Sequence, residues 1–544
     1  MDNPSQRPRG VGATAAGGSA APGRPSLPSL GRPGPPHFSR PGPPPPGGRG
    51  PRRRLAPPRR SALFALLLAS ALLAPLLSGC GARRTPNLGR IFAESRARVG
   101  KRPVIVVPGV LGSQMVNRLT GEVVWPSAFR SSTDGLNLPA TPDLAANRDD
   151  LIASKIIDTA RLARLAPEVY VYRDLLRALR EFGGYREGDP ASPPPDGDRD
   201  TFYVFPYDWR RDNVETARLF VRFAESLKLK LNRPDLRFNV VAHSMGGLVA
   251  RYAAMYGDSD LPPAGAEPRP TWAGASVINK IFMFGTPNGG SAEAFATLLE
   301  GYSVTEGLRR RVRLLNKLSR EDVLTAPSIF QLLPRGPGAR FLDEGLRPLS
   351  LDLYDPRVWR RYGWSAANDP EFRARYESDR DAGQEAPTGR GTLAELDAYF
   401  DSALERARRF HQALDAADGV RPAPVRLFAF GGDCEETLSA PVLLRDERRG
   451  RWVTLTRPRS LRDAAGRKLG RGEVERAMYE PGDGRVTRPS LLGHRAGAGR
   501  LSELYDTPLP LAYAAFACDL HSDLQSNKTL QDNALTLLVN EVTN

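Results

Sequence analysis

The chain has 544 residues, too many for one simple core and enough for a large elaborated domain with extensions. Charged residues make up 25% and hydrophobic residues 40%, a globular composition that excludes a wholly disordered chain. The net charge is +16, yet residues 1–79, with eleven arginines, no lysine and the single acid Asp2, carry +10 of it. In the remainder the arginines are scattered among acids rather than gathered in stripes, so nucleic acid is not an expected partner.

Residues 1–60 are rich in Pro, Gly and Arg ("RPGPPPPGGRGPRRR"). Such a stretch buries too little apolar surface to offset chain entropy, and it is expected to be disordered. Residues 61–80 read as a signal peptide. Arg59 and Arg60 precede a 17-residue apolar run over 61–77, the order of a charged and then an apolar export region. Its end, Leu77-Ser78-Gly79-Cys80, resembles the bacterial lipobox. Small residues at 78 and 79 suit a peptidase cleft, and the Cys80 thiol is what a lipid thioether needs. The alternative is an uncleaved anchor, for which the run is at the short limit. Gly81 rather than Asp after the cysteine points to the outer membrane, facing the periplasm or the cell surface. Residues 81–99 read as a linker. Cys434 and Cys518 remain, 84 residues apart. Export would allow a disulfide between them, closing a loop worth roughly 4 kcal/mol; two buried thiols are the other reading.

From residue 100 onward, apolar runs alternate with helical patterns. "PVIVV" (103–107), "FYVFP" (202–206), "FNVV" (238–241), "INKIFMFG" (278–285) and "VRLFAFGG" (425–432) read as strands. Residues 214–231, 246–257 and 529–539 have helical spacing. Continuous apolar strands separated by helices predict a mostly parallel sheet covered on both faces, an α/β domain over 100–544. Two excursions, 118–200 and 291–424, are expected to build a cap or lid over the strand ends. The aromatics Tyr354, Trp359, Tyr362 and Trp364 within the second are read as cap core in preference to an acyl groove.

The chemistry centres on Ala242-His243-Ser244-Met245-Gly246, set between a strand and a helix. A nucleophile elbow is small-x-Ser-x-Gly in that context. The turn is so tight that residues two on either side of the serine must be small. A helix-capping serine is the alternative. A serine hydroxyl needs a base, and the base an orienting carboxylate. In this arrangement the order along the chain is Ser, acid, His. Of five histidines, His37 precedes the signal and His243 adjoins the serine with its side chain directed away from it. His411 comes too early, and His494 sits among small flexible residues. His521, in "CDLHSDLQSN" just before the last helix, is the expected base. For the acid, Asp433 at a strand end and Asp483 in a Gly-Asp-Gly turn both fit, and spacing leaves the choice open. The oxyanion hole needs two backbone N–H donors. Met245 and Val110, the latter in Pro108-Gly109-Val110-Leu111-Gly112, are the candidates. With no His-x-x-x-His and no paired-cysteine pattern, neither a metal nor a cofactor is expected.

"RPVIVVPGVLGSQM", "PYDWRRD", "AHSMGG", "GTPNGGS", "YEPGDGRV" and "HSDLQSN", in this order over about 102–540, resemble the successive motifs of the lecithin:cholesterol acyltransferase family. The resemblance implies an α/β-hydrolase fold with a cap/lid insertion and acyl transfer from a phospholipid-like ester through a serine acyl-enzyme. It assigns the nucleophile to Ser244, the acid to Asp483, the base to His521 and the second oxyanion donor to Val110. Asp208, Trp209 and Arg210 match the family's block at the floor of the site; for Asp208 and Arg210 a buried ion pair that fixes a loop is the preferred reading. Ala242 stands where Gly is usual and Arg485 where Thr is common; neither departure removes a reacting group. The expected partners are a lipid ester and, through the anchor at Cys80, a membrane surface. The competing readings are a phospholipase or esterase with water as acceptor, and a surface lipoprotein that uses the fold only for binding.

Overall fold

In the computed structural model the apolar runs line up as one seven-stranded sheet. The structure describes residues 85–126, 135–161, 168–170, 172–303, 317–381, 391–416, 424–493 and 509–540. The expectations for residues 1–80, including Cys80, and for His494 lie outside the described residues. The strands are β1 (Val104–Val107), β2 (Arg186–Glu187), β3 (Thr201–Val204), β4 (Phe238–His243), β5 (Ile278–Phe284), β6 (Arg426–Gly432) and β7 (Leu511–Ala517), in the spatial order β2-β3-β1-β4-β5-β6-β7. Every pairing in this sheet is parallel. The order reverses at β1: the chain moves outward to β3 and β2 on one side, then returns to β4 on the other. Open parallel sheets bind ligands beyond the carboxyl ends of the strands at such a reversal.

Strand alternation divides the core into two layers. Ile105, Val107, Val240, Ala242, Ile281, Met283, Leu427 and Ala429 face one layer. There they meet helices α2 (Asn213–Lys230), α3 (Met245–Tyr256), α4 (Ala292–Glu300) and α5 (Leu393–Asp415). Val104, Val106, Phe202, Val241, Phe282, Phe284, Phe428 and Phe430 face the other, against α1 (Arg173–Glu181) and α6 (Lys528–Val539). The four phenylalanines of β5 and β6 stack in register, with neighbouring ring centroids 4.8 to 4.9 Å apart across the strands. Side-chain caps begin two of these helices. Asp212 accepts from the Val214 N–H at the start of α2, and Thr392 with Glu395 forms a capping box on α5.

The excursions differ from the sequence reading in extent. Within 118–200, the antiparallel sheet that joins Val123–Trp125 and Leu151–Ile156 to Ser113–Asn117 stands apart from the main sheet, as does the antiparallel pair Thr159–Arg161 and Glu168–Tyr170. The rest rejoins the central layers. Leu175, Leu176 and Leu179 give α1 an apolar stripe that packs under β1 and β3, and β2 forms the sheet edge. Within 291–424, α5 lies on α3: the Tyr256 hydroxyl donates to the Ala413 carbonyl and Arg251 to the Leu414 carbonyl, both at 2.9 Å. Trp359 and Trp364 are buried, with Phe295, Phe341 and Phe400 around them, so this cluster is packing core. The supposed linker also contributes, because Leu88 and Phe92 are buried against the α1 and α6 layer. Among the described residues no helix is long and apolar enough to cross a membrane.

Candidate active site

Ser244 follows β4 directly and precedes α3, with φ 53° and ψ −125°. An L-residue held there is strained by about 1–3 kcal/mol, a cost that persists only where the surroundings fix the backbone. They do so here through the Ser244 N–H, which donates to the Phe284 carbonyl at 2.7 Å. The strained turn lifts the side chain off the sheet between the ends of β1 and β5. The small residues that the motif demands have a visible cause. A Cβ on Gly246 would lie 2.4 Å from the Pro108 carbonyl oxygen. Ala242, in place of the usual glycine, is fully buried between Val107 and Met283 of the neighbouring strands, so its methyl group fits.

His521 Nε2 lies 2.9 Å from Ser244 Oγ, and His521 Nδ1 lies 2.8 Å from Asp483 Oδ2. Asp483 is almost fully buried. Its second carboxylate oxygen accepts from the backbone N–H groups of Arg485 (2.9 Å) and Val486 (2.7 Å), which turn the first toward the histidine. The His521 N–H in turn donates to the Asp483 carbonyl at 2.8 Å. Gly285, at φ +60°, makes room for the imidazole, since a Cβ there would lie 2.9 Å from the ring. Asp433 comes one residue after β6 and is not a partner of His521. The chain runs out along Glu435–Leu438 and back along Tyr479–Gly482, which returns Asp483 to the end of β6. Two acids distant in sequence thus reach the same strand end, which is why spacing left them tied.

Cys434 and Cys518 form a disulfide with their Cα atoms 5.2 Å apart. It joins the segments just past β6 and β7, between which Asp483 and His521 meet. Cys434, Glu435 and Cys518 also bring three metal-ligating groups together, but both sulfurs are used in the disulfide.

The turn after β1 is held by three aromatic side chains. The Tyr207 hydroxyl donates to the Pro108 carbonyl (2.8 Å) and Trp125 Nε1 to the Leu111 carbonyl (2.9 Å), while the Gly109 N–H donates to the Tyr172 hydroxyl (2.8 Å). With Gly109 engaged, the Val110 N–H accompanies that of Met245 as a donor for which no acceptor is found among the described residues. Met245 is the first residue of α3, where helix N–H groups lack intrahelical partners and the positive end of the dipole favours anions. Tyr207 opens the Tyr-Asp-Trp-Arg block. Arg210 is buried and binds Asp208 (2.8 Å), Asp149 (2.6 Å) and the Leu136 carbonyl (3.1 Å). This is the loop-fixing ion pair anticipated for it, with Asp149 as a further partner.

Tyr172 and the second role of His243 were not evident in the sequence. His243 points away from Ser244: its Nδ1 lies 2.9 Å from the Tyr172 hydroxyl and its Nε2 lies 3.0 Å from the His521 carbonyl oxygen. A carbonyl can only accept, so Nε2 carries the proton. Burial keeps the imidazole neutral, so Nδ1 is an acceptor and the Tyr172 hydroxyl donates to it. Burial, with a smaller contribution from His521, pushes the His243 pKa down to about 3. Burial likewise raises the Tyr172 phenol well above its ordinary value.

Residues 148–345 match the family model described as Lecithin:cholesterol acyltransferase. This is the family that the motifs resemble. The matched span holds Ser244 and the Asp208–Arg210 block, whereas Asp483 and His521 lie beyond it. No curated protein matches the chain at a significant level. Three solved structures are among the similar ones. One is the Tle4-Tli4 complex, at 14% identity and TM-score 0.49, covering 81% of this chain and 98% of that one. Another is the mature Bacillus licheniformis lipase BlEst2, at 10% identity and TM-score 0.31, covering 81% and 92%. The third is EstA from Clostridium botulinum, at 14% identity and TM-score 0.32, covering 83% and 91%. The all-parallel sheet with helices on both faces and an elbow after β4 is the α/β-hydrolase fold.

Proposed function

We propose that the protein is a serine acyl enzyme of lipid esters, with Ser244 as nucleophile, His521 as general base and acid, and Asp483 as its orienting carboxylate. The observation that carries this is the continuous hydrogen-bonded chain from Ser244 Oγ through His521 to Asp483. Ser244 Oγ attacks the ester carbonyl carbon while His521 Nε2 takes its proton. The Val110 and Met245 N–H groups hold the oxyanion. His521 returns the proton to the departing alkoxide, leaving an acyl-enzyme. Water or an alcohol then gives its proton to His521 and attacks the acyl carbon, and His521 passes that proton to Ser244 Oγ as the bond to the acyl group breaks. Both acceptors use the same groups.

The test takes the full chain with a phospholipid, with and without a long-chain alcohol, and identifies the products by mass. Free fatty acid is expected with water alone, and a fatty ester as well if the alcohol is an acceptor. Ser244→Ala should abolish both products and fluorophosphonate labelling while keeping the thermal midpoint. Activity retained in that variant would sink the assignment. An unlabelled wild-type protein would instead favour the binding-only lipoprotein.

A further inference from the structure

Tyr172 and His243 make no hydrogen bond to the side chains of Ser244, His521 or Asp483, yet together they span the site. The Gly109 N–H donates to the Tyr172 hydroxyl, that hydroxyl donates to His243 Nδ1, and His243 Nε2–H donates to the His521 carbonyl. At one end is the turn that carries Val110. At the other is the main chain of the residue facing Ser244. Both side chains are buried, and the polarity of each bond follows from the acceptor at the His521 carbonyl together with a neutral His243. The phenol has one proton, and it is committed to His243. The Gly109 N–H is committed to the phenol and cannot serve an oxyanion. The relay thus withdraws one donor from the loop, presents the next one and fixes the height of His521 above the sheet. Contacts around it are close: a Cβ on Gly109 would lie 2.8 Å from Ser244 Cβ and 3.2 Å from His243 Nδ1.

We propose that Tyr172 and His243 are positioning residues, a neutral Tyr–His relay that sets the oxyanion turn and the His521 main chain relative to each other. This rests on the reading of Ser244, His521 and Asp483 as the reacting set. The relay also has to be neutral. The His243 and His521 rings are 4.9 Å apart, and a charged imidazole there would oppose the proton that His521 must accept.

The test measures kcat and KM on a soluble p-nitrophenyl ester for full-length variants, with thermal midpoints alongside. Tyr172→Phe keeps the ring and removes the hydroxyl. Its kcat should fall about 10- to 100-fold, the scale of a misplacement of roughly 1 Å, with KM within about two-fold. His243→Gln retains an amide N–H for the His521 carbonyl, and its kcat should exceed that of His243→Leu by about ten-fold. An unchanged kcat in Tyr172→Phe, a loss carried wholly by KM, or equal kcat in the two His243 variants overturns the relay. If Tyr172→Phe does not fold, the His243 pair decides alone. Ser244→Ala separates the two levels. If it still turns over, the reading of the site has failed. If it is inactive while Tyr172→Phe keeps full kcat, only the relay has failed.

Discussion

At Ser244 the local backbone preference and the required geometry conflict, and the neighbours resolve the conflict. Its φ of 53° is disfavoured for any residue with a Cβ. The small residues that permit it, Ala242 and Gly246, are what made the elbow legible in the sequence. The acid was less legible. Asp433 and Asp483 converge on the end of β6 because a hairpin carries the second back to it, and a pairing of that kind leaves no mark in spacing. The structure makes the choice measurable. Asp483→Asn, which disturbs the tautomer and orientation of His521, is expected to lower kcat about 10³- to 10⁴-fold, whereas Asp433→Asn should leave it within about three-fold. The reverse ranking in ester hydrolysis would reassign the acid. Tyr172 could not be found from the sequence at all. It sits at the start of an ordinary amphipathic helix, and its role arises from a meeting with residues 63 and 71 positions away.

The strong elements were readable because their physics is local. Runs such as "PVIVV" and "INKIFMFG" are buried on both faces, and α2 and α6 follow their helical spacing to within a residue or two. β7 was missed. "LAYAAFA" is alanine-rich, which suits a helix better than a strand, and its place at the sheet edge comes from pairing with β6. α1 was assigned to a cap because its burial is against β1 and β3, which precede and follow it in the chain. The disulfide between the β6 and β7 extensions ties an edge strand to the sheet. Closing a loop of 84 residues constrains the unfolded chain by about 4.5 kcal/mol in the chain-entropy account. The double variant Cys434→Ser/Cys518→Ser is therefore expected to lose about 2–5 kcal/mol in denaturant unfolding and to label more slowly with fluorophosphonate. Unchanged stability would mean that packing alone holds β7.

For the molecule as a whole, two buried histidines make acid its weak side. Burial pushes His243 down to about 3 and holds His411 well below its ordinary value, the latter with help from the guanidiniums of Arg335 and Arg251. Both titrate near 6.5 once unfolded. Their contribution is complete above that value and is lost as the pH falls toward the folded values, at about 1.4 kcal/mol per pH unit for each ring. Unfolding free energy is thus expected to drop about 2–4 kcal/mol between pH 7 and pH 5. His411→Leu should halve that slope, and a flat profile would contradict the neutral burial of these rings. The second expectation at this scale concerns the proposed anchor, which lies outside the described residues. Cys80→Ala should move the expressed protein from the membrane pellet to the soluble fraction without altering turnover of a soluble ester. Persistence in the pellet would count against lipid attachment at that cysteine.

The spacing between Ser244 and His521 also governs when the site can work. The two are 277 residues apart, and the base follows the last strand, three positions beyond a disulfide cysteine. During synthesis the nucleophile is therefore made long before the group that activates it. On the proposed reading, a chain stalled anywhere in that interval lacks the base that Ser244 needs. Turnover of an ester therefore requires the chain to be made through His521, the residue that lies against Gly285.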